Sequence, residues 1–465
     1  MTGVWVQPAG AEPDPTVGEL LAAWLPGRRW FPGSGSVHAE PWLAVTFDDA
    51  GPGPGPWASA PGADVVVLLV RLTGAGLPGG TAVVQVPLVL SSAAERGPGF
   101  IAVVTTGSGD VAVHDGAAHP AFWLALLHTM GLDDAADDAL VAGGRVLAGE
   151  QSNTSVVLPG VPSPAGTGGM LKILRTVVPG PHPDVVVPQA LTRAGFAGVP
   201  RFLGALEVET PVVGASTTDG ARWPGGPTAL AVLAELVPGA RDGFELACEL
   251  AGRDESFAPR AAELGGVVAE LHTVLRQALP PGPRLVPHDF VEALRRRAAT
   301  AVAEAPALAA RSAAITALLD DLERRLPALR LQAIHGDLHL GQALYGPSGW
   351  KVLDFEGEPQ RPAAERTAPD LPARDVAGML RSFGYAAAVG GASAPVGWYS
   401  EAGQAFLDAY RERADAPEAD PPTAEVVLRA LVLDKALYEV VYETRQRPDW
   451  VHIPLTGVDQ ALNLL

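Results

Sequence analysis

The chain predicts an α+β fold in two parts, strand-rich up to about residue 237 and helical beyond it. Three observations lead there. Short runs of β-branched and aliphatic residues fill the first half, as in Val65-Val66-Val67-Leu68-Leu69-Val70. Longer segments with apolar residues three and four apart fill the second, the spacing that lines one face of a helix. Between them Pro238-Gly239 follows the apolar run at residues 229–236, a pair that ends regular structure. A chain of 465 residues exceeds what one core serves, and at roughly 100–200 residues per domain it should hold two or three.

Taken in order, residues 17–24 read as an amphipathic helix, followed by Pro26-Gly27-Arg28-Arg29-Trp30-Phe31 and by strands at 65–72 and 82–90. A helix at 118–130 comes next, then strands at 145–158 and 170–174 joined by a Gly/Pro loop at 159–169. The strand at 229–236 closes this part. Helical periodicity then marks 245–250, 259–279, 287–305, 312–326, 375–388, 403–414 and 423–446. Segments 51–62, 211–227 and 389–396 are dense in Gly, Pro, Ser or Ala without an apolar period and read as loops.

Composition excludes several classes. With 33 basic against 52 acidic residues and a net charge of −19, broad attraction to nucleic acid or an anionic membrane is ruled out. The single Cys248 can form no internal disulfide and reads as a small core residue in a reducing compartment. The first ten residues show no basic stretch leading into an apolar one, and no run approaches the roughly 20 apolar residues of a membrane span. The expectation is a cytoplasmic protein.

Chemistry concentrates in His335-Gly336-Asp337-Leu338-His339-Leu340-Gly341-Gln342 and Asp354-Phe355-Glu356-Gly357. Asp337 can take a proton from an acceptor hydroxyl. Gln342 and Asp354, five and seventeen positions on, can hold Mg²⁺ through oxygen, a hard donor for a hard cation. This is the spacing of a kinase catalytic loop and the metal-binding loop after it. Residues 331–334 read as a strand delivering His335 and Asp337. Ala343-Leu344-Tyr345, Gly346-Pro347-Ser348-Gly349 and the run from Trp350 read as a hairpin that brings Gln342 and Asp354 together. His335, with His339 and Glu356, would support the loop by hydrogen bonds. A second reading takes His335, Asp337 and His339 with Glu356 and Glu358 as transition-metal ligands of a hydrolase.

The nucleotide end is less marked. Gln151, Ser152, Asn153 and Thr154 at a strand turn can donate hydrogen bonds to phosphates. Lys172 lies on the strand face opposite Leu171 and Ile173, as a phosphate-anchoring lysine would. Backbone groups near Glu235 and Val237 could read adenine. On a helix over residues 433–446, Lys435, Glu439, Tyr442 and Gln446 share one face, with Leu433, Leu437, Val440, Val441 and Thr444 opposite. Lys435, Glu439, Tyr442 and Trp450 supply the polar groups and rings that bind sugars. His272 reads as a structural residue of its helix.

These motifs resemble the actinobacterial maltokinases among the aminoglycoside-phosphotransferase-like kinases. The likeness runs through Asp354-Phe355-Glu356-Gly357-Glu358-Pro359, Arg361-Pro362, Glu365-Arg366, Asp375-Val376-Ala377-Gly378-Met379-Leu380-Arg381-Ser382-Phe383, Tyr438-Glu439-Val440-Val441-Tyr442-Glu443 and Arg447-Pro448, with Arg29-Trp30-Phe31 and Glu150-Gln151-Ser152-Asn153-Thr154-Ser155 upstream. The resemblance implies a bilobal protein-kinase-like fold, with a cap at 1–95, a β-rich N-lobe at 96–237 and a helical C-lobe at 238–465. It implies ATP- and Mg²⁺-dependent phosphorylation of maltose at its anomeric hydroxyl, giving maltose 1-phosphate for glycogen synthesis beside trehalose synthase. Glucosamine or aminoglycoside kinases are the alternative within this group. One position departs: Val186 stands where relatives carry the acid that pairs with the strand lysine. Either Asp184 takes that role, or the pair is missing and packing positions the lobe; a degenerate kinase acting as a nucleotide- or sugar-binding sensor is a further alternative.

Overall fold

A computed structural model describes residues 3–9, 15–47, 64–106, 109–132, 136–147, 152–166, 168–212, 223–358, 366–415 and 419–463. The chain forms two compact units, Met1–Val185 with Arg201–Val237, and Val186–Pro200 with Pro238–Leu465. The α+β, kinase-like class holds: antiparallel sheets build the first unit and helices dominate the second.

The first unit opens with β1 (Val4–Pro8), α1 (Pro15–Trp24), β2 (His38–Phe47), β3 (Asp64–Thr73), β4 (Thr81–Ser92), β5 (Phe100–Thr106) and β6 (Gly109–Asp115). The strands form an antiparallel sheet in the order β1-β2-β3-β4-β6-β5, which continues past residue 95. The unbroken apolar run of β3 follows from burial on both faces. Val66, Leu68, Val70 and Leu72 pack with Val17 and Leu21 of α1 and with Trp30 and Phe31. Val67 and Leu69 pack with Phe122 and Trp123 of α2 (Pro120–Thr129) and with Leu171 and Ile173. Each such Val or Leu contributes roughly 1.5–3 kcal/mol.

A second antiparallel sheet holds β7 (Arg145–Val146), β8 (Asn153–Leu158), β9 (Gly169–Leu174), β10 (Phe202–Thr210) and β11 (Gly226–Glu235), in the order β10-β11-β9-β8-β7. The strand expected over 145–158 is thus two strands, with residues 148–151 outside the described residues. The short helix α3 (Asp137–Val141) precedes β7, and α4 (Pro183–Arg193) follows β9. The sequence does not announce α4, because Val185-Val186-Val187 and Pro188 argue against a helix. The expected loop 51–62 lies outside the described residues, as do 213–222 of the loop 211–227.

The second unit contains α5 (Gly243–Gly252), α6 (Ala258–Ala278), α7 (Pro287–Glu304), α8 (Ser312–Arg325), α9 (Ala373–Gly390), α10 (Pro395–Arg413), α11 (Pro421–Gln446) and α12 (His452–Ala461). Its small sheet orders β12 (Arg241–Asp242), β13 (Ala343–Gly346) and β14 (Gly349–Val352). Asp242 caps α5 by accepting from the Phe244 and Glu245 N–H groups, and Asp420 caps α11 by accepting from Thr423, with Pro421 at the first helical position. Phe257, Phe383 and Phe406 form the centre of the core, with ring centroids 5.9 and 5.7 Å apart in succession. Residues 331–334 are not a strand: Gln332 alone bridges, to Asp370, since no neighbouring segment runs alongside long enough to make a ladder. Among the described residues no helix is long and apolar enough to cross a membrane.

Candidate active site

The backbone before Asp337 is pinned from below. Asp375, in the first turn of α9, is buried and accepts from the N–H of His335 at 2.8 Å and of Gly336 at 2.9 Å. His272 of α6 reaches the same carboxylate with Nε2 at 3.0 Å and holds the Tyr410 hydroxyl at Nδ1, 2.9 Å away. Burial alone would raise the Asp375 carboxyl, but His272, His335 and the Gly336 amide bring it below the usual range. Sequence reasoning passed over Asp375 as a site residue. Its signal was an acid opening an otherwise apolar, small-residue helix. Gly378, one turn on, lets α9 approach closely, because a Cβ there would stand 2.4 Å from the Leu338 carbonyl oxygen.

This clamp gives a first prediction. Asp375→Ala leaves three buried donors without an acceptor and should cost about 3–5 kcal/mol at neutral pH. A carboxyl held low in the folded state stabilises above the usual carboxylate range and loses its effect as pH falls through the lowered value. The stability gap between variant and wild type in urea titrations should therefore narrow in acid; a gap constant from pH 7 to pH 3 would contradict the clamp.

His335 donates from Nε2 to the Leu353 carbonyl at 2.7 Å and accepts at Nδ1 from the Asp337 N–H at 3.3 Å. Both ring nitrogens are thereby committed, and the residue is buried, so it braces the loop. His339 accepts from the Gly341 N–H at Nδ1, 3.1 Å; burial, then Lys435 and His335, lower its pKa. Among the described residues no cluster of potential metal ligands includes a histidine. The hydrolase reading loses its ligand set on this geometry.

Asp337 meets Lys435 of α11, whose Nζ lies 3.2 Å from Oδ1 and 2.8 Å from Glu358 Oε1. Burial would lower the lysine, but Asp337, Glu358 and Glu439 hold it above its usual range, so it is a fixed cation. The hairpin of β13 and β14 does bring Gln342 and Asp354 together: Gln342 Nε2 donates to Asp354 Oδ2 at 3.2 Å, and the Leu353 N–H donates to the Gln342 carbonyl at 2.9 Å. Asp354 has a φ of 61°, a region Asp and Asn enter more readily than most residues. Gly357, at φ 71°, is required twice over, since a Cβ would stand 2.3 Å from the Arg366 carbonyl oxygen. Phe355 packs its ring 5.0 Å from that of His335, tying the two loops.

On α11, Leu433, Leu437 and Val440 face the core, while Val441 and Thr444 are half-buried. Glu439 is paired with buried Arg381 at 2.9 Å, and burial raises its pKa. Glu443, the last residue of the run 438–443 and given no role from the sequence, is buried and accepts from Tyr385 at 3.1 Å and from Arg447 at 2.7 and 2.8 Å. The Arg447 guanidinium also covers the Trp450 ring at 4.4 Å and Tyr442 at 5.6 Å. Lys435 and Glu439 are thus gathered beside the loop, whereas Tyr442 and Trp450 already carry a cation on one face.

In the first unit, Lys172 Nζ lies 2.5 Å from Asp184 Oδ2. Asp184 in the first turn of α4 is buried, and Val186 is 37% exposed, so Asp184 supplies the partner that Val186 cannot. Asn153 and Thr154 open β8 and Ser152 precedes it; Gln151 and Glu150 lie outside the described residues. At the end of β11 the Glu235 N–H donates to Arg201 and the Leu236 N–H to Gly168, at 2.8 and 3.0 Å, and the Glu235 carboxylate accepts from Ala165 at 2.8 Å.

Residues 228–426 match the phosphotransferase enzyme family. A glucosamine kinase of Streptacidiphilus jiangxiensis is 30% identical over 336 residues, 68% of this chain and 73% of that protein. The chain belongs to the phosphotransferase enzyme family. A glucosamine kinase of Mycolicibacterium smegmatis (strain ATCC 700084 / mc(2)155) is 29% identical over 69% of this phosphotransferase and 80% of its own length. A solved structure of a glucosamine kinase in complex with glucosamine, ADP and inorganic phosphate superposes with a TM-score of 0.60 at 25% identity, covering 95% of this chain and 98% of that one. This phosphotransferase is of the kinase type, similar to sugar kinases.

Proposed function

We propose that this phosphotransferase moves the γ-phosphoryl group of ATP to a hydroxyl of a sugar, with glucosamine as its preferred acceptor. The observation that carries the reading is the state of Asp337. Its backbone is pinned through Asp375, one carboxylate oxygen is held by Lys435, and the other has no partner among the described residues. A fixed carboxylate with one open oxygen is what a base for an incoming hydroxyl needs. Gln342 and Asp354 are side by side, with the amide Nε2 on Asp354 Oδ2; with the amide turned to present Oε1, the pair would hold Mg²⁺, which neutralises charge on the transferring phosphoryl group. Lys172, oriented by Asp184, with Ser152, Asn153 and Thr154, would bind phosphate oxygens. The Val237 N–H, without a partner among the described residues, would face adenine.

The glucosamine kinases among its relatives support that acceptor, and so does the excess of carboxylates around Lys435, since an ammonium group forms its strongest hydrogen bonds with carboxylates. Maltose, phosphorylated at its anomeric hydroxyl, is the second reading, favoured by the Glu356-Gly357-Glu358-Pro359 run and the α11 motif; trehalose synthase would then be its partner. An ATP-consumption screen over glucosamine, maltose, glucose, trehalose and an aminoglycoside, with and without Mg²⁺, decides between them. Glucosamine-dependent turnover is expected, and a preference for maltose reverses the assignment.

Glu439→Gln should raise the KM for the sugar while leaving that for ATP within about twofold. The loss of one charged contact costs on the order of 1–3 kcal/mol, or roughly 5–150-fold. Equal sugar KM values in variant and wild type would remove Glu439 from the acceptor pocket.

A further inference from the structure

Arg175 directly follows β9 and is only 1% exposed, although it is an arginine. Its contacts converge from four stretches of the first unit. Its Nε donates to Thr154 Oγ1 at 2.9 Å and its backbone N–H to Asn153 Oδ1 at 3.2 Å, both at the start of β8. Its Nη2 donates to both Asp115 carboxylate oxygens, at 3.0 and 3.2 Å, at the end of β6. The Trp30 ring lies 4.4 Å from Cζ. The carbonyl of Arg175 accepts from the Gln85 N–H of β4 at 2.8 Å, and the Gln85 side chain donates to the Leu174 and Leu230 carbonyls. Val84 bridges to Thr176 alongside.

We propose that Arg175 is a positioning residue through which the N-terminal sheet presents Thr154 as a donor to the nucleotide phosphates. The proposal rests on the reading that this residue meets phosphate. Its physical basis is the sense of the hydrogen bond. A threonine hydroxyl both donates and accepts. The Arg175 Nε–H occupies the acceptor side of Thr154 Oγ1. The Thr154 O–H is thereby turned to donate to a further group. A side chain that could face either a cation or an anion is biased toward an anion. Burying a guanidinium is costly unless it is paired. The rigid fork of arginine suits a position that must meet a hydroxyl and a carboxylate in fixed directions, which a lysine cannot do. Asp115 and Trp30 belong to the first sheet and its packing, so that sheet sets the aim of the fork.

The test measures binding of ATP carrying a fluorescent methylanthraniloyl group, together with kcat and both KM values, for Arg175→Met, Arg175→Lys and Asp115→Asn. Arg175→Met keeps the stem over Trp30 and removes the fork. The expected result is a nucleotide Kd and ATP KM raised by about tenfold, the scale of one lost oriented hydrogen bond. The sugar KM should stay within about twofold, and Arg175→Lys should restore only part of the loss. An unchanged nucleotide Kd in a folded Arg175→Met, or ATP and sugar KM rising equally, overturns the proposal. If Arg175→Met does not fold, Asp115→Asn decides: a weaker Kd for nucleotide supports the proposal, and a wild-type Kd overturns it. A wild type that binds no nucleotide overturns both readings, whereas one that binds nucleotide but phosphorylates no sugar defeats only the sugar-kinase reading.

Discussion

Asp337→Asn should lower turnover by about 10²–10⁴-fold, the worth of general-base catalysis, while ATP affinity stays within about threefold of wild type. The substitution keeps the shape of the side chain and an oxygen for Lys435 Nζ, now 3.2 Å from Oδ1. What it removes is the ability to take a proton. The clamp from Asp375 acts on the backbone of His335 and Gly336 and is untouched, so the loop should fold as before. Thermal melting would check that point. A variant with more than about a tenth of wild-type turnover would show that Asp337 is not the base.

The catalytic loop was legible because its parts are local. Gln342 and Asp354 sit at the outer ends of one hairpin, and folding that hairpin is enough to join them. The helices from α5 to α11 were legible for the same reason, each bearing its own apolar stripe, except that α9 runs to Gly390 and α10 starts at Pro395, both inside the segment 389–396 expected as a loop. What escaped depends on distant segments. Asp375 becomes a clamp only when α9 packs beneath residues that precede it by some forty positions. Arg175 carries no signal of its own until Asp115, Thr154 and Trp30 are placed around it. Strands β1, β2, β5, β6 and β10 carry weak patterns because neighbouring strands, not their own alternation, hold them. The departure at Val186 was visible in the sequence, but its answer was not: the phase of α4 aims Asp184, two residues earlier, at Lys172.

Asp354→Asn should abolish measurable Mg²⁺-dependent turnover, a loss of roughly 10³-fold or more given the several kcal/mol a metal contributes to phosphoryl transfer. Asparagine is the informative replacement, because it tolerates the φ of 61° that Asp354 adopts, whereas alanine would add backbone strain to the loss of a ligand. The carboxylate is the only charged oxygen of the Gln342–Asp354 pair, and an amide offers a far weaker ligand to a hard cation. Titrating Mg²⁺ against both proteins separates the effects. A variant rescued fully by high Mg²⁺ has lost affinity alone; one that stays inactive at saturation has lost the placement of the metal. An Asp354→Asn protein with wild-type turnover and a wild-type Mg²⁺ requirement would remove Asp354 from the metal site.

Phosphorus NMR of the wild-type protein with ATP, Mg²⁺ and glucosamine tests sugar phosphorylation most directly, because it follows the γ-phosphorus itself. The expected spectrum loses the γ-resonance of ATP and gains, in equal amount, a sugar phosphate ester and ADP, with none formed when glucosamine is withheld. Release of inorganic phosphate in place of the ester, or ATP left intact with glucosamine and with every other sugar, would contradict it.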